Sequence, residues 1–352
     1  MRKDLGLIVE SQGIDRKVAV APMMDWTDRH CRYLLRGFSP RVLLYTEMIT
    51  AAAIVHGDSA RLLRFSPAER PLALQLGGSD PDLLAAAARA GAAAGYDEIN
   101  LNCGCPSDRV HAGAFGACLM RTPDRVADCV AALRETVRIP VTVKMRIGVL
   151  TRAGRDAAIA SFDERDYERL QEFTASVARA GCGHFIVHAR KAVLGGLSPK
   201  ENREVPPLRF DVVQRLKQDF PALWIGVNGG LRTAAQSTAA LHWCDGVMLG
   251  REVYHRPAVL AELHAQVFDD GWTVPAPASM VARMAAYAER EVAAGEPAAS
   301  ITRHMLGLYA GQPGARRFRQ CLSEGARSLG IGGHAAAAVS RLLREAATLC
   351  SA

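Results

Sequence analysis

The feature that most constrains the fold of this 352-residue chain is a series of eight short apolar runs, separated by segments with a helical pattern. The runs are almost continuously apolar, as expected for parallel strands covered on their outer face, whereas the segments at 82–94 and 122–137 are rich in Ala and Leu. This alternation predicts an α/β fold, a (β/α)8 TIM barrel. The eight runs are Val18–Pro22, Leu43–Met48, Pro71–Gly78, Glu98–Gly104, Val141–Gly148, His184–Arg190, Leu223–Gly230 and Gly246–Glu252.

The alternation stops at about residue 262, and the sequence after it is helical in pattern and predicts no strand. Residues 269–277 interrupt the pattern with one Gly and two Pro. We therefore predict a catalytic barrel over residues 1–262, a linker over 263–274 and a small all-helical domain over 275–352. Long loops on the barrel rim are expected at 150–166 and 191–207, where substrates are commonly bound.

The chain carries a net charge of +7 at neutral pH, and its basic excess is concentrated near the C-terminus. Residues 271–352 hold nine Arg against five Glu, a net of +4, which favours a polyanionic partner. No stretch approaches the roughly 20 apolar residues of a membrane span, and no apolar signal core begins the chain. Nine scattered cysteines indicate reduced thiols. We expect a cytoplasmic monomer that binds neither a membrane nor another protein.

Polar residues cluster at the predicted carboxyl ends of the strands, the rim where barrels of this kind carry active sites. The clearest case is the run N-L-N-C-G-C-P-S at 100–107, which places Cys105 on a tight turn between Gly104 and Pro106. Such a thiol can act on a ligand, although a buried turn cysteine is the common alternative. Cys103 and Cys105 could also form a metal pair, but no nearby Cys/His pair completes a zinc set, so we predict no metal site.

Two glycine turns point to a phosphate-bearing cofactor. Asn228-Gly229-Gly230 and Gly250-Arg251 follow the seventh and eighth runs, where many barrels bind a cofactor phosphate, although each turn alone is compatible with an ordinary tight turn. No G-x-G-x-x-G or Walker motif accompanies a strand, so a mononucleotide such as FMN fits better than a dinucleotide. Lys144 and His188 then point into the barrel, towards the flavin, with a satisfied core histidine as the alternative for His188.

Ten segments together identify a family. The chain resembles the bacterial tRNA-dihydrouridine synthases, of the type that acts on uridines 20 and 20a of tRNA. The N-x-G-C-P-S run and the S-P-K-E-N-R loop are highly specific, whereas the glycine turns are less so. Two features depart from the family pattern, namely Cys at position 103 and a long segment at 150–166. The matching segments are Ala21–Thr27, Leu74–Gly78, Asn102–Val110, Phe115–Met120, Val143–Gly148, His188–Lys191, Leu197–Arg203, Asn228–Gly230, Val247–Arg251 and Thr302–Leu308.

The resemblance implies a set of site residues. Cys105 is implied as the general acid. FMN is implied to be bound by Pro22, Met23, Met24, Gln75, Lys144, His188, Asn228, Gly229, Gly230, Gly250 and Arg251. Contacts with tRNA are implied at Asn102, Lys200, Arg203, Arg316 and Arg319.

The implied reaction is reduction of the C5=C6 bond of uracil, with NADPH as the source of electrons. A hydride passes from N5 of reduced FMN to C6, and Cys105 gives a proton to C5. A thiol of ordinary pKa, about 8.5, is mostly protonated at neutral pH and can serve as the acid. Asn102 is expected to orient the base, and the basic helical domain to hold the polyanion while the uridine is flipped out.

Two other functions remain open from the sequence. The chain could be an FMN barrel oxidoreductase for a small molecule such as a free dihydropyrimidine, which would leave the Arg-rich domain without a role. It could also be a non-catalytic RNA-binding protein on a barrel scaffold. The stretch Arg316-Arg317-Phe318-Arg319 combines phosphate-binding charge with an aromatic ring, and its alternative is a generic basic helix face.

Overall fold

The computed structural model describes residues 13–107, 115–151, 159–268 and 271–350. Its contacts divide the chain into two compact units, one formed by residues 1–24 and 43–250 and the other by residues 25–42 and 251–352. In the part of the chain that the structure describes, no helix is both long and apolar enough to cross a membrane.

The first unit is built on a barrel of parallel strands. Hydrogen bonding follows the order β1-β9-β8-β7-β6-β5-β4-β2, and β3 also pairs with β4. A bridge between Ala19 and Leu43 joins the two ends of this order. Because β2 and β3 are two pieces of one interrupted run, the barrel has eight staves, and the predicted (β/α)8 fold is confirmed. The strands are β1 Val18–Val20, β2 Leu44–Tyr45, β3 Ile49–Thr50, β4 Leu72–Gly77, β5 Glu98–Cys103, β6 Val141–Thr151, β7 His184–Leu194, β8 Trp224–Asn228 and β9 Gly246–Leu249.

Helices follow the strands as the sequence predicts, and α4 illustrates why. Its first turn is capped by Asp80, which accepts a hydrogen bond of 3.0 Å from the backbone N–H of Leu83. Gly91 faces the sheet so closely that a Cβ there would lie 2.5 Å from Leu74 Cδ2. The helices of this unit are α2 Ala51–His56, α3 Ser59–Leu62, α4 Pro81–Ala94, α5 Pro123–Thr136, α6 Glu164–Arg179, α7 Phe210–Asp219 and α8 Ala234–Ala240, after α1 Arg29–Arg36 in the second unit.

Strands β6 and β7 continue past the predicted ends at Gly148 and Arg190. They pair as far as Thr151 and Leu194, with a shift of register between Arg146 and Gly148. Apolar side chains of the extensions pack with Ala117 in a small separate cluster. The first residues of both predicted rim loops, 150–151 and 191–194, therefore belong to strands. Residues 152–158 of the long segment lie outside the described residues.

A buried ion pair with polar neighbours lies near the floor of the barrel, beside an apolar cluster that includes Leu43, Ala73 and Ile186. Arg16 Nε lies 2.7 Å from Glu98 Oε2, and both side chains are buried. The Tyr45 hydroxyl donates to Glu98 Oε1 at 2.8 Å, and the Thr142 hydroxyl donates to the same oxygen at 2.7 Å. Burial, together with the Glu98 charge, raises the pKa of Tyr45 well above its ordinary value. The hydroxyl of Tyr45 therefore stays protonated and acts as a donor.

The second unit is helical. In addition to α1 it contains α9 Arg251–His255, α10 Ala258–Phe268, α11 Pro277–Ala293, α12 Ala298–Thr302, α13 Ala315–Ser328 and α14 Gly333–Thr348. The C-terminal helices α11 to α14 pack together. Because α10 ends at Phe268, the first six residues of the predicted linker are helical. Contacts place residues 251–262 in this unit, whereas the sequence prediction counted them with the barrel. The predicted functional boundaries at 262 and 275 stay predictions.

Candidate active site

Strand register brings the predicted site residues together at the carboxyl ends of the central strands. Asn102 on β5 is paired in register with Lys144 on β6, and His188 on β7 is paired with Asn228 on β8. Arg146 lies opposite His188. The carboxyl ends of parallel strands share one face of a barrel, so these side chains line a single mouth.

The turn that carries Cys105 is fixed by hydrogen bonds on both sides. Asn102 Oδ1 accepts from the backbone N–H groups of Gly104 and Cys105, each at 3.0 Å. The Cys105 carbonyl accepts from the N–H of Ala117 at 2.9 Å. Cys105 itself is only partly buried, and its Sγ lies 3.5 Å from Ser107 Oγ. The thiol is therefore held on a rigid backbone with access to the mouth.

Cys103 lies in a different environment. It is fully buried, and burial followed by the charges of Cys129 and Cys182 raises its pKa well above the ordinary value for a thiol. Cys129 belongs to α5, so Cys103 faces the layer between the barrel and its helices. Cys103 is consequently a packing residue, and it does not share the environment of Cys105.

Gln75 lies beside Asn102 and completes this wall of the mouth. Its Oε1 accepts from Asn102 Nδ2 at 2.8 Å, and its Nε2 donates to Asn100 Oδ1 at 2.8 Å. Each of the two amides at the mouth, Gln75 and Asn102, therefore keeps one N–H for a ligand.

The pKa values of Lys144 and His188 are both lowered at the mouth. Burial, with the positive charge of Arg146, lowers the pKa of Lys144 to about 7, while the Cys105 thiol acts in the opposite direction. Burial and the cations Arg146, Lys144 and Arg190 hold the pKa of His188 well below its ordinary value. Among the described residues, His188 Nδ1 is buried without a partner and Lys144 forms no ion pair. A ligand that accepts hydrogen bonds or carries negative charge would satisfy Lys144, and also His188 in the tautomer with its proton on Nδ1.

The Asn228-Gly229-Gly230 turn packs too closely against neighbouring side chains for its glycines to carry side chains of their own. Gly229 has φ 108°, and a Cβ there would lie 2.9 Å from the His188 ring. At Gly230, φ is 70° and a Cβ would lie 2.3 Å from Leu208 Cδ1. Asn228 Nδ2 donates to the Met248 carbonyl at 2.7 Å, which ties β8 to β9. Only glycine fits at 229 and 230 without strain.

On the far side of β9, the β1 end joins the same mouth. The Ala21 N–H donates to the Leu249 carbonyl at 2.7 Å, and Gly250 lies next to Met23, whose Sδ is 3.7 Å from where a Cβ would stand. Pro22 and Met23 are partly buried, whereas Met24 is 58% exposed. The structure thus brings Pro22 to Met24 beside Gly250. Arg251 is the first residue of α9 and belongs to the helical unit.

Comparison with known proteins places the chain in a family. The family model described as dihydrouridine synthase matches residues 19–342. The chain belongs to the dihydrouridine synthase family. Among curated relatives, a tRNA-dihydrouridine(20/20a) synthase of Pseudomonas syringae pv. tomato is 54% identical over 311 residues, 88% of this chain and 89% of that protein. Proteins of the same description from Escherichia coli K12 and a Synechocystis species are 52% and 53% identical, each over 88% of its own length and 89% and 87% of this chain. Membership of this enzyme family confirms the resemblance inferred from the motifs.

Arg146, for which the motifs predict no role, is a further buried cation at the mouth. Arg146 is 5% exposed, and burial lowers its pKa to about 9. Its guanidinium donates to the carbonyls of Gly104 at 3.2 Å, Lys191 at 3.3 Å and Asn202 at 2.9 Å. In the sequence, Arg146 is recognisable as a second cation two residues after Lys144 in an apolar strand. Arg146 joins the Cys105 turn to the loop that contains Asn202.

The predicted substrate residues on this loop point outward because Asn202 holds its backbone. Asn202 Oδ1 accepts from the Val193 N–H at 2.7 Å, and its Nδ2 donates to the carbonyls of Val193 and Leu197 at 3.0 and 3.1 Å. Lys200 and Arg203 flank this buried amide and are exposed. Residues 108–110 of the matching segment lie outside the described residues.

Arg316 and Arg319 are exposed on α13 of the helical unit. The prediction that Phe318 adds an aromatic ring to the same surface is wrong. Phe318 is fully buried, with its ring 4.8 Å from that of Tyr309. It lies on the face that α13 turns to the core with Ala315 and Leu322. The exposed face of this segment therefore offers charge without an aromatic surface for stacking.

Proposed function

We propose that this chain reduces uridines 20 and 20a in the D-loop of tRNA to 5,6-dihydrouridine, with FMN as cofactor and NADPH as the source of electrons. The observation that carries the proposal is the partly buried Cys105 thiol, held on a fixed turn next to Asn102 at the mouth of the barrel. The description shared by relatives of 52–54% identity supports the choice of tRNA positions.

The residues at the mouth fit FMN. The orphaned Nδ1 of His188 and the unpaired ammonium of Lys144 match the polar edge of a flavin, and Gln75 keeps one N–H for the same edge. The Gly229-Gly230 turn follows β8, where many barrels bind a cofactor phosphate, and with no side chain of its own it can present backbone N–H groups to one. When bound, FMN accepts electrons from NADPH and supplies a hydride to C6 of the uracil.

Cys105 completes the reduction by giving its Sγ proton to C5. The C5=C6 double bond is thereby replaced by one new C–H bond at each carbon, and the thiol regains its proton from water. Asn102 holds both the turn and, through its remaining N–H, a carbonyl oxygen of the base. Lys144 and Arg146 keep the site positive, which favours negative charge that develops on the base before it is protonated.

Binding of the tRNA is assigned to exposed cations on both units. Lys200 and Arg203 flank the mouth on their loop, and Arg316 and Arg319 lie one turn apart on the exposed side of α13. Phosphate contacts of this kind give affinity that falls as salt rises.

The test is an assay of three substrates with purified, FMN-loaded protein and NADPH. We expect dihydrouridine in an unmodified tRNA transcript, located at positions 20 and 20a by mapping of the modified bases, and no reduction of free uracil or uridine. Reduction of the free base or nucleoside with tRNA untouched would establish the small-molecule reductase instead. Protein that binds tRNA but takes up no FMN would establish the binding protein.

A further inference from the structure

A continuous line of hydrogen bonds runs inside the barrel from its floor to the Cys105 turn. It starts at the Arg16–Glu98 ion pair and passes through Thr142. Asn100 Nδ2 lies 2.8 Å from Thr142 Oγ1, and the line continues through Gln75 to Asn102. All of these side chains are buried. The sequence alone gave no function to Glu98, Asn100 or Thr142.

The two ends of this line impose the same direction on every hydrogen bond in it. At the upper end, the backbone N–H groups of Gly104 and Cys105 can only donate, so the atom of Asn102 that meets them is its oxygen. The Asn102 nitrogen must then donate to the Gln75 oxygen. The Gln75 nitrogen consequently faces Asn100.

At the lower end, the Glu98 carboxylate can only accept, so Thr142 donates its hydroxyl proton to it. Thr142 Oγ1 is then free to accept, and the Asn100 side chain must present its nitrogen to Thr142 and its oxygen to Gln75. Amide oxygens and nitrogens are assigned from such networks, and here the two ends agree.

We propose that Glu98, Thr142 and Asn100 are positioning residues that hold the amides of Gln75 and Asn102, from the lower end of the line, in the same orientation that the backbone N–H groups of the Cys105 turn require at the mouth. Both lone pairs of Asn102 Oδ1 are taken by backbone N–H groups, so Asn102 meets a ligand only as a donor. It therefore selects a base with a carbonyl oxygen at that point, such as uracil, over one with an amino group. The proposal rests on the proposed function for its substrate.

The decisive comparison is between two hydroxyl groups bonded to the same oxygen of Glu98. Thr142→Val and Tyr45→Phe each remove one of them, but only Thr142 leads on to Asn100, Gln75 and Asn102. Removal of either costs a buried hydrogen bond, whereas only loss of the Thr142 hydroxyl removes the lower of the two constraints on the amides of Asn100, Gln75 and Asn102.

We expect Thr142→Val to lower kcat for dihydrouridine formation about tenfold, the factor for one hydrogen bond of about 1.4 kcal/mol, with KM for tRNA nearly unchanged. The visible absorption spectrum of bound FMN should shift in the same variant. Thr142→Ser, which keeps the hydroxyl, should restore both properties, and Tyr45→Phe should leave both close to the wild type. If Thr142→Val does not fold, Thr142→Ala takes its place.

Equal losses in Thr142→Val and Tyr45→Phe would overturn the proposal, because both would then reflect only the packing of the barrel floor. An unchanged spectrum and kcat in Thr142→Val would overturn it as well. Wild-type protein that binds FMN but fails to reduce tRNA would refute the proposed function instead, and the spectral comparison would still decide whether Thr142 orients Gln75.

Discussion

Replacement of Lys144 by Met should make the cofactor-free protein more stable and its cofactor binding weaker. Burial and Arg146 lower the pKa of Lys144 from 10.5 to about 7, whereas in the unfolded chain it is about 10.4. Between these values the unfolded state binds a proton that the folded state does not, so the stability of the wild type rises with pH in this window. Below pH 7 the penalty is constant, and above about 10.5 it vanishes.

The magnitude follows from the shift. One pKa unit corresponds to about 1.4 kcal/mol, so a lowering of three to four units sets an upper bound near 5 kcal/mol. Lys144 retains some access to solvent, which reduces the cost to the order of 3 kcal/mol. Met has nearly the length of the lysine stem and no charge. The free energy of unfolding of Lys144→Met should therefore exceed that of the wild type by about 3 kcal/mol at pH 7.

The assay is urea unfolding of FMN-free protein at pH 7, 8 and 9, followed by titration with FMN. The stability gain of Lys144→Met should shrink by up to about 1.4 kcal/mol with each pH unit, and its affinity for FMN should fall by about tenfold or more at pH 7. The two effects have opposite signs because the same ammonium is costly without a ligand and useful with one.

Lys191 provides the matched control. It is also a buried lysine at the mouth end of a strand, but its Nζ lies 2.6 Å from Asp166 Oδ2. Lys191→Met should destabilise the protein by about 2 kcal/mol, because Asp166 loses its charged partner. Loss of stability in Lys144→Met at pH 7, or a gain that does not shrink as pH rises, would refute the reasoning about Lys144.

Three other predictions concern single steps of the proposed function. Cys105→Ala should keep FMN and tRNA binding and lose dihydrouridine formation by about two orders of magnitude, measured under single-turnover conditions; near-normal turnover would remove its role as the acid. The double change Arg316→Ala and Arg319→Ala should reduce the slope of log Kd for tRNA against log salt by about two, with NADPH oxidation unaffected; an unchanged slope would exclude both from the interface. Gly229→Ala should weaken FMN binding about tenfold or more in a fluorescence titration, since its Cβ would meet His188; wild-type affinity would contradict the close approach seen there.

Much of the fold could be predicted from the sequence because the hydrophobic periodicity of strands and helices is a local property. The apolar runs show where strands end, and parallel strands end on one face, so Gln75, Asn102, Lys144 and His188 could be placed together in advance. Their actual partners could not. Hydrogen bonds such as Asn100 to Thr142 depend on register between strands some forty residues apart, which no local pattern encodes.

The burial of Phe318 is predictable from the sequence. Ala315, Phe318, Leu322 and Ala326 recur at helical spacing and are all buried on one face of α13. The period alone predicts Phe318 inside and Arg316 outside. Arg146 is the opposite case, because only the folded structure shows the three carbonyl groups that make a buried guanidinium tolerable.

Those carbonyl partners also explain how the mouth stays positive. A carboxylate beside Arg146 would satisfy its donors and cancel its charge. Three backbone carbonyls accept from Nε and Nη1 of the guanidinium and leave the charge in place, and that charge lowers the pKa values of Lys144 and His188. The same bonds hold the Cys105 turn and the Asn202 loop at fixed positions. A site built to receive an anionic cofactor and an RNA backbone needs both properties, and Arg146 supplies them with one side chain.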